Sequence, residues 1–482
     1  MSAHQRQSRF EQSDDAVVMK FGGTSVENAA AIRRLIGIVQ SRADERRVVV
    51  VSALAKVTDE LLEAGNAAAH GRLGSALAAA RDLYVRHEAV ADELISGAAG
   101  RGLEQDLRAE YRGLESLLHD LDQSRKLDLQ LQDRLLGFGE RLSSPLVTRA
   151  LREAGVDAVH VDAQKYIVTD SRHGQASPLW DLTNQNLQDA LSPLLETDQV
   201  PVLGGFIAST CEGVPTTLGR GGSDFTASIV GAALAATRIE IWTDVDGIMT
   251  TDPKLCAEAR VIRKMSFDEA AELAQFGAKV LHPGTLAPAM RENIPVHVLN
   301  SRHPEGEGTE IGMRSRSGNT VSAITAKRNV AAVEIESARG LNSEGLRDVY
   351  TAFNRRSCPV DVMAASLGRL WLLAGSTAAL PGIAADLREV ANVRWENHKA
   401  LVCLVGENIR RQPDVASRAF AAVSDMDVRV MCQGASDRTL SFLVDESRVE
   451  ESVRRLHGVF FPAPREAVRD WGGLSAAFCE AG

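Results

Sequence analysis

One stretch constrains the fold more than any other: Thr217-Leu-Gly-Arg-Gly-Gly-Ser-Asp224. It follows an apolar run, Val200–Ile207, and precedes an alanine-rich segment, Ala227–Ala236. The run reads as one buried parallel strand, the segment as a helix. Backbone N–H groups at a helix start attract anions, and glycines let a ligand approach the main chain. An arginine between glycines grips a carboxylate or phosphate with two parallel bonds. An aspartate there also serves as an ordinary helix cap.

The same grammar recurs upstream. Ala16–Phe21 is a short strand that carries Lys20 near its end and runs into Gly22-Gly-Thr-Ser25, followed by a helix from Glu27 to Gln40. A lysine at a strand end before two glycines suggests a phosphate site, although a P-loop would place the lysine after the glycines. Arg47–Ser52, Val156–Asp162 and Arg238–Val245 read as further strands. Between the second and third lies a long helical region, Asp59 to Leu136, read as a cap of two or three helices. Gly137-Phe-Gly-Glu140 interrupts it. Alternating strands and helices predict a mostly parallel sheet with helices on both faces, ligands binding beyond the carboxyl ends of the strands. Lys20, Ser52, Arg220 and Asp244 lie at or just past such ends.

At 482 residues the chain needs two or three domains. Its net charge of −10 argues against nucleic-acid binding. No apolar run reaches the ~18 residues of a membrane span. The six cysteines are scattered, without metal-site spacing, and fit a reduced cytoplasmic setting.

Five motifs occur in the order found in aspartate kinases, which the chain resembles over about residues 16–300. They are Lys20-Phe-Gly-Gly-Thr-Ser-Val26, Gly139-Glu-Arg-Leu-Ser143, Thr217–Asp224, Trp242-Thr-Asp-Val-Asp-Gly-Ile248 with Thr251-Asp-Pro253, and Phe276-Gly-Ala-Lys-Val-Leu-His-Pro283. The resemblance implies a three-layer αβα sandwich with a mostly parallel sheet, the amino-acid kinase fold. It also implies transfer of the ATP γ-phosphoryl group to L-aspartate with Mg2+, the first step toward lysine, threonine and methionine. Lys20 and Asp224 would be catalytic. Thr58, Glu140, Arg220, Gly221, Gly222 and Ser223 would bind the substrate. Lys20, Gly22, Gly23, Thr243, Asp244, Met249, Lys254 and Lys279 would bind ATP. Met249 stands where relatives often carry tyrosine. Another amino-acid or carbamate kinase of this fold, and an inactive effector-binding protein, are the competing readings. The Glu140 and glycine-loop motifs argue against the first, and the presence of Lys20, Arg220 and Asp224 against the second.

Residues 301–328, rich in Gly, Ser, Arg and Glu, read as a linker. Beyond it, short strands and helices repeat with a period of about seventy residues. The repeat resembles tandem ACT domains of α+β, ferredoxin-like type, with boundaries placed at 329–398 and 399–465. Residues 466–482 form an unassigned tail. The resemblance implies an amino-acid effector, lysine or threonine, held by Asp361 and Ser366, and a homodimer or higher oligomer formed through the ACT domains. Relatives commonly carry a glutamate where Leu367 stands.

Overall fold

Buried along its whole length, Ala16–Phe21 forms β1 at the centre of an eight-stranded sheet. The computed structural model describes residues 16–277, 283–314, 320–337, 342–366, 368–375, 377–433 and 436–462. The other strands of the first half are β2 (Arg46–Val51), β3 (Ala158–Val161), β4 (Val168–Thr169), β5 (Val200–Gly204), β6 (Ile207–Thr210), β7 (Pro215–Thr217), β8 (Arg238–Thr243), β9 (Lys264–Ser266), β10 (Val296–Asn300) and β11 (Thr309–Gly312). The main sheet runs β3-β5-β2-β1-β8-β10-β11-β9, and β4, β6 and β7 make a small separate sheet. From β3 to β10 all neighbours are parallel; only β10 and β11 pair antiparallel. Valine-rich runs such as Val48–Val51 are buried because helices cover both faces of such a sheet.

The helices from residue 29 to residue 234 are α1 (Ala29–Gln40), α2 (Val57–Ala69), α3 (Leu73–Leu94), α4 (Gly97–Ser124), α5 (Leu129–Leu136), α6 (Phe138–Glu153), α7 (Ala163–Tyr166), α8 (Trp180–Glu196) and α9 (Gly222–Leu234). The first starts at Ala29 rather than Glu27 because the Asn28 side chain accepts the Ala31 N–H and caps it. The expected cap of two or three helices is four, α2 to α5. Their leucines and alanines, among them Leu61, Ala80, Leu107 and Leu118, share one apolar cluster with Met19 and Val49 of the sheet.

The apolar run expected as one strand from 200 to 207 is two, broken at Gly205-Phe206. At Gly205 a Cβ would sit 2.6 Å from the Cβ of Ser223, so only glycine allows the start of α9 to press against the strand end. Phe206 then takes φ 65° and turns the chain out of the main sheet.

A second compact unit contains residues 320–462 and, from the first half, Thr251–Ala259. Its six-stranded antiparallel sheet uses β12 (Ala323–Glu336), β13 (Val360–Ser366), β14 (Arg369–Ala374), β15 (Asn392–Val405), β16 (Met431–Gln433) and β17 (Thr439–Asp445), in the order β13-β14-β12-β15-β17-β16. Strands β12 and β15 are each 14 residues long and run through both halves of this sheet. Each is kinked where one residue adopts φ 57°, Asn329 in β12 and His398 in β15, and the β12–β15 register shifts near these points. One core gathers around Val333, Phe353, Leu372 and Ile383, the other around Val402, Phe442, Val453 and Leu456. The second core also takes Ile324 and Cys256. Consecutive blocks divided by a linker at 301–328 were expected; here residues on both sides of that stretch enter one core.

Candidate active site

The carboxyl ends of β1, β2 and β5 and the start of α9 converge on one pocket of about 560 Å3. Lys20 lies between Val50 and Ile241 in register and is 8% exposed. Its Nζ is 2.6 Å from Oδ1 of Asp224, in the first turn of α9. The residue at the cap position of that helix is Gly221, with φ 72°, so Asp224 is free of capping and is aimed at the lysine. Two strand-to-helix junctions far apart in the chain thus join through one ion pair.

Glu140 stands in the first turn of α6 and is 3% exposed. Its Oε1 accepts the Ala53 N–H at 3.0 Å, while Oε2 is buried with no hydrogen-bond partner. Burial pushes the Glu140 carboxyl up to about 8, against the Ala53 hydrogen bond and the nearby Lys20 charge, which favour ionisation. The helix comes this close to Ala53 because residue 139 is glycine, where a Cβ would lie 2.7 Å from that of Ala53. Ser143 Oγ donates to the Ser52 carbonyl at 2.9 Å and pins the same contact. A buried carboxyl with one bare oxygen suits a ligand cation that arrives with its own charge.

The remaining expected substrate residues, Thr58, Arg220, Gly221, Gly222 and Ser223, also line the pocket, as does Gly23. Arg220 is exposed. Gly22 donates its N–H to the Trp242 carbonyl at 3.0 Å, which spends that donor inside the protein rather than on a phosphate. The expected nucleotide residues are more dispersed. Thr243 ends β8, and exposed Asp244 follows it. Met249 bridges to Val261. Lys254 is exposed on Thr251–Ala259, which belongs to the second compact unit, and Lys279 lies outside the described residues. In the second unit, Ser366 is exposed at the end of β13, Asp361 is ion-paired to Lys327, and Leu367 lies outside the described residues.

Sequence reading missed the Ala53 N–H, a main-chain donor with no side-chain signature. It also missed Lys56, an exposed pocket residue with φ 71°, and buried Asp133 behind the pocket wall. The signal for Asp133 was a lone acid inside the apolar face of Leu131-Gln-Asp-Arg-Leu-Leu136.

Comparison with known proteins agrees with this geometry. A sequence model of the amino acid kinase family matches residues 15–300, and one of the ACT domain matches residues 402–460. Lysine-sensitive aspartokinase 3 of Escherichia coli (strain K12) is 34% identical over 458 residues, covering 93% of this chain and 99% of that protein. Chloroplastic aspartokinase 3 of Arabidopsis thaliana is 34% identical over 475 residues, covering 92% of this chain and 81% of its own. The crystal structure of E. coli aspartokinase III in complex with aspartate and ADP superposes with a TM-score of 0.81 at 34% identity, covering 93% of this chain and 100% of that one. The same enzyme with lysine and aspartate gives 0.79 over 92% of this chain and 99% of that one. On shared motifs, shared fold and identity across nearly its whole length, this chain belongs to the aspartokinases, enzymes that join an amino acid kinase domain to ACT domains.

Proposed function

We propose that the pocket transfers the ATP γ-phosphoryl group to the β-carboxylate of L-aspartate, giving 4-phospho-L-aspartate and ADP. The observation that carries this reading is Glu140: a buried carboxyl with a bare oxygen, in the same pocket as the Lys20–Asp224 pair. The substrate ammonium pairs with Glu140, its α-carboxylate with Arg220 and the N–H groups of Gly221 and Ser223, and Thr58 borders its side chain. The Gly222 N–H is held by the Gly219 carbonyl at 2.9 Å, so Gly222 offers close approach rather than a donor. These contacts leave the β-carboxylate directed at Lys20.

A carboxylate of pKa about 4 is already ionised at neutral pH, so no base has to remove a proton. One β-carboxylate oxygen forms a bond to the γ-phosphorus. The bond from that phosphorus to the β–γ bridging oxygen breaks, and ADP leaves with the electron pair. The barrier is the meeting of two anions, lowered by positioning and positive charge. Lys20 supplies charge to the transferring group, and Asp224 holds Lys20 in place. Thr243, Asp244, Met249, Lys254 and Lys279 are assigned to the nucleotide by likeness. Among the described residues no cluster of three or more His, Cys, Asp or Glu side chains could hold a metal. Magnesium typically keeps substrate phosphates, waters and only one or two carboxylates; Asp224 would serve it, and exposed Asp59 is a further carboxylate on the pocket wall. When bound, Mg2+ neutralises phosphate charge.

The second unit is assigned to feedback control by an amino acid, lysine or threonine, with Asp361 and Ser366 at the effector site. Tyr350, Met363 and Met431 are exposed on this unit and support pairing with a second copy. The enzyme is placed in the cytoplasm, at the entry to lysine, threonine and methionine synthesis. The test is turnover with ATP and L-aspartate, trapping the acyl phosphate as its hydroxamate with hydroxylamine. No hydroxamate from aspartate, but product from another amino acid or from carbamate, overturns the reading.

A further inference from the structure

We infer that Asp133 is a positioning residue that sets the register of the arginine loop, and through it the recognition of the substrate α-carboxylate. It sits on α5, 1% exposed. Its Oδ1 accepts from Thr217 Oγ1 at 2.5 Å and from the Gly174 N–H at 3.1 Å. Its Oδ2 accepts from the same N–H at 3.0 Å and lies 2.8 Å from His173 Nδ1. One buried carboxylate therefore ties three segments, with Thr217 standing 84 residues away in sequence.

Thr217 ends β7, three residues before Arg220. Its carbonyl accepts the Ala176 N–H at 3.0 Å, and Gly219 packs against Gly174 and Gln175. The loop that carries Arg220 is thus clamped on residues 173–176, and those are clamped on Asp133. Thr217 and Gly174 line the pocket, and Asp133 lies behind them without touching it. Thr217 Oγ1 donates to one oxygen of Asp133 and the Gly174 N–H to both, and His173 Nδ1 donates in the tautomer that carries its proton there. An acceptor at both oxygens is required, and an asparagine would turn an NH2 group toward donors. Charged hydrogen bonds in a dry setting hold geometry tightly, and a small displacement of a two-pronged contact is costly.

This inference rests on the proposed role of Arg220. The test measures KM and kcat for Asp133→Asn, Thr217→Val and Arg220→Ala, with thermal melts. Acceptance of 3-aminopropanoate, which lacks the α-carboxylate, is measured alongside. Asp133→Asn and Thr217→Val are expected to raise KM for L-aspartate by about tenfold or more. KM for ATP should change little, and the preference for aspartate over 3-aminopropanoate should shrink. Thr217→Ser, which keeps the hydroxyl, should restore it. If Asp133→Asn fails to fold, Thr217→Val and Thr217→Ser decide. Should Arg220→Ala raise KM for aspartate while both clamp variants leave it unchanged, the clamp is wrong and the arginine assignment stands. Should Arg220→Ala leave KM unchanged, both fall together.

Discussion

Lys327 Nζ lies 2.6 Å from Oδ1 and 2.7 Å from Oδ2 of Asp361, so a side-chain ammonium already occupies the carboxylate expected to receive an effector's ammonium. The pair is partly buried, with side chains 29% and 12% exposed. An amino acid that uses Asp361 must displace Lys327 and is weakened by that competition. Lys327→Ala is expected to lower the half-inhibitory concentration of lysine or threonine about tenfold, the change that ~1.4 kcal/mol produces. Asp361→Ala should abolish inhibition without altering turnover in the absence of effector. Inhibition titrations on both variants check this, and an unchanged midpoint in Lys327→Ala would place the effector elsewhere.

The Glu140 carboxyl predicts a pH dependence of substrate binding. Pushed up to about 8, it is largely protonated in the free enzyme at neutral pH, yet pairing with the substrate ammonium needs the anion. KM for L-aspartate should therefore fall as pH rises from 6.5 to 8.5. In Glu140→Gln it should be high and independent of pH over that range.

Stability must move the other way. From its ordinary value of 4.5 up to about 8, the folded Glu140 keeps a proton that the unfolded chain has lost. The native state is then progressively destabilised as pH rises through that window. Glu140→Gln removes the effect, so the Tm of the variant should gain on the native protein between pH 5 and pH 8. A constant difference would mean that Glu140 is ionised in the free enzyme.

Much of the site was legible because its parts are local. Lys20 with its glycines, and Arg220 with Asp224, each sit inside one short run at a strand end, where the chemistry of a turn before a helix can be read directly. The unreadable parts depend on contacts between distant segments. The Ala53 N–H reaches Glu140 across 87 residues. Gly205 breaks a strand only because Ser223 arrives against it. The burial of Cys256 in the second core has no trace in the local pattern, since Cys256 stands among polar and charged residues in Asp252-Pro-Lys-Leu-Cys-Ala-Glu-Ala-Arg260. The interlaced wiring of β12 and β15 was hidden for the same reason: each half of these 14-residue strands looks complete alone.

His87 offers an independent check on the helical region. It is fully buried in α3, with Nδ1 2.7 Å from the Leu83 carbonyl, and burial lowers its pKa to about 4. Below its ordinary value of 6.5 the unfolded chain gains a proton that the folded chain refuses. That part of the stability is present above pH 6.5 and is lost as pH falls toward 4. His87→Leu should match the native Tm at pH 7.5 and exceed it at pH 5. Equal melts at both values would mean that water reaches the imidazole.

Lys20→Ala tests the chemistry most directly. The lysine is held by Asp224 at 2.6 Å, so its charge is in place before substrates arrive and needs no rearrangement during reaction. Such preorganised charge stabilises the transition state more than the ground state. Losing a preorganised donor of this kind lowers turnover by about 10²–10³-fold. Turnover should fall by that order in Lys20→Ala, with KM for ATP changed much less. Asp224→Asn should reproduce part of the loss, because the lysine keeps its charge but loses its anchor. Single-turnover rates with saturating ATP and aspartate separate the two effects. A Lys20→Ala enzyme with normal turnover and a raised KM for ATP would show that the lysine only binds the nucleotide.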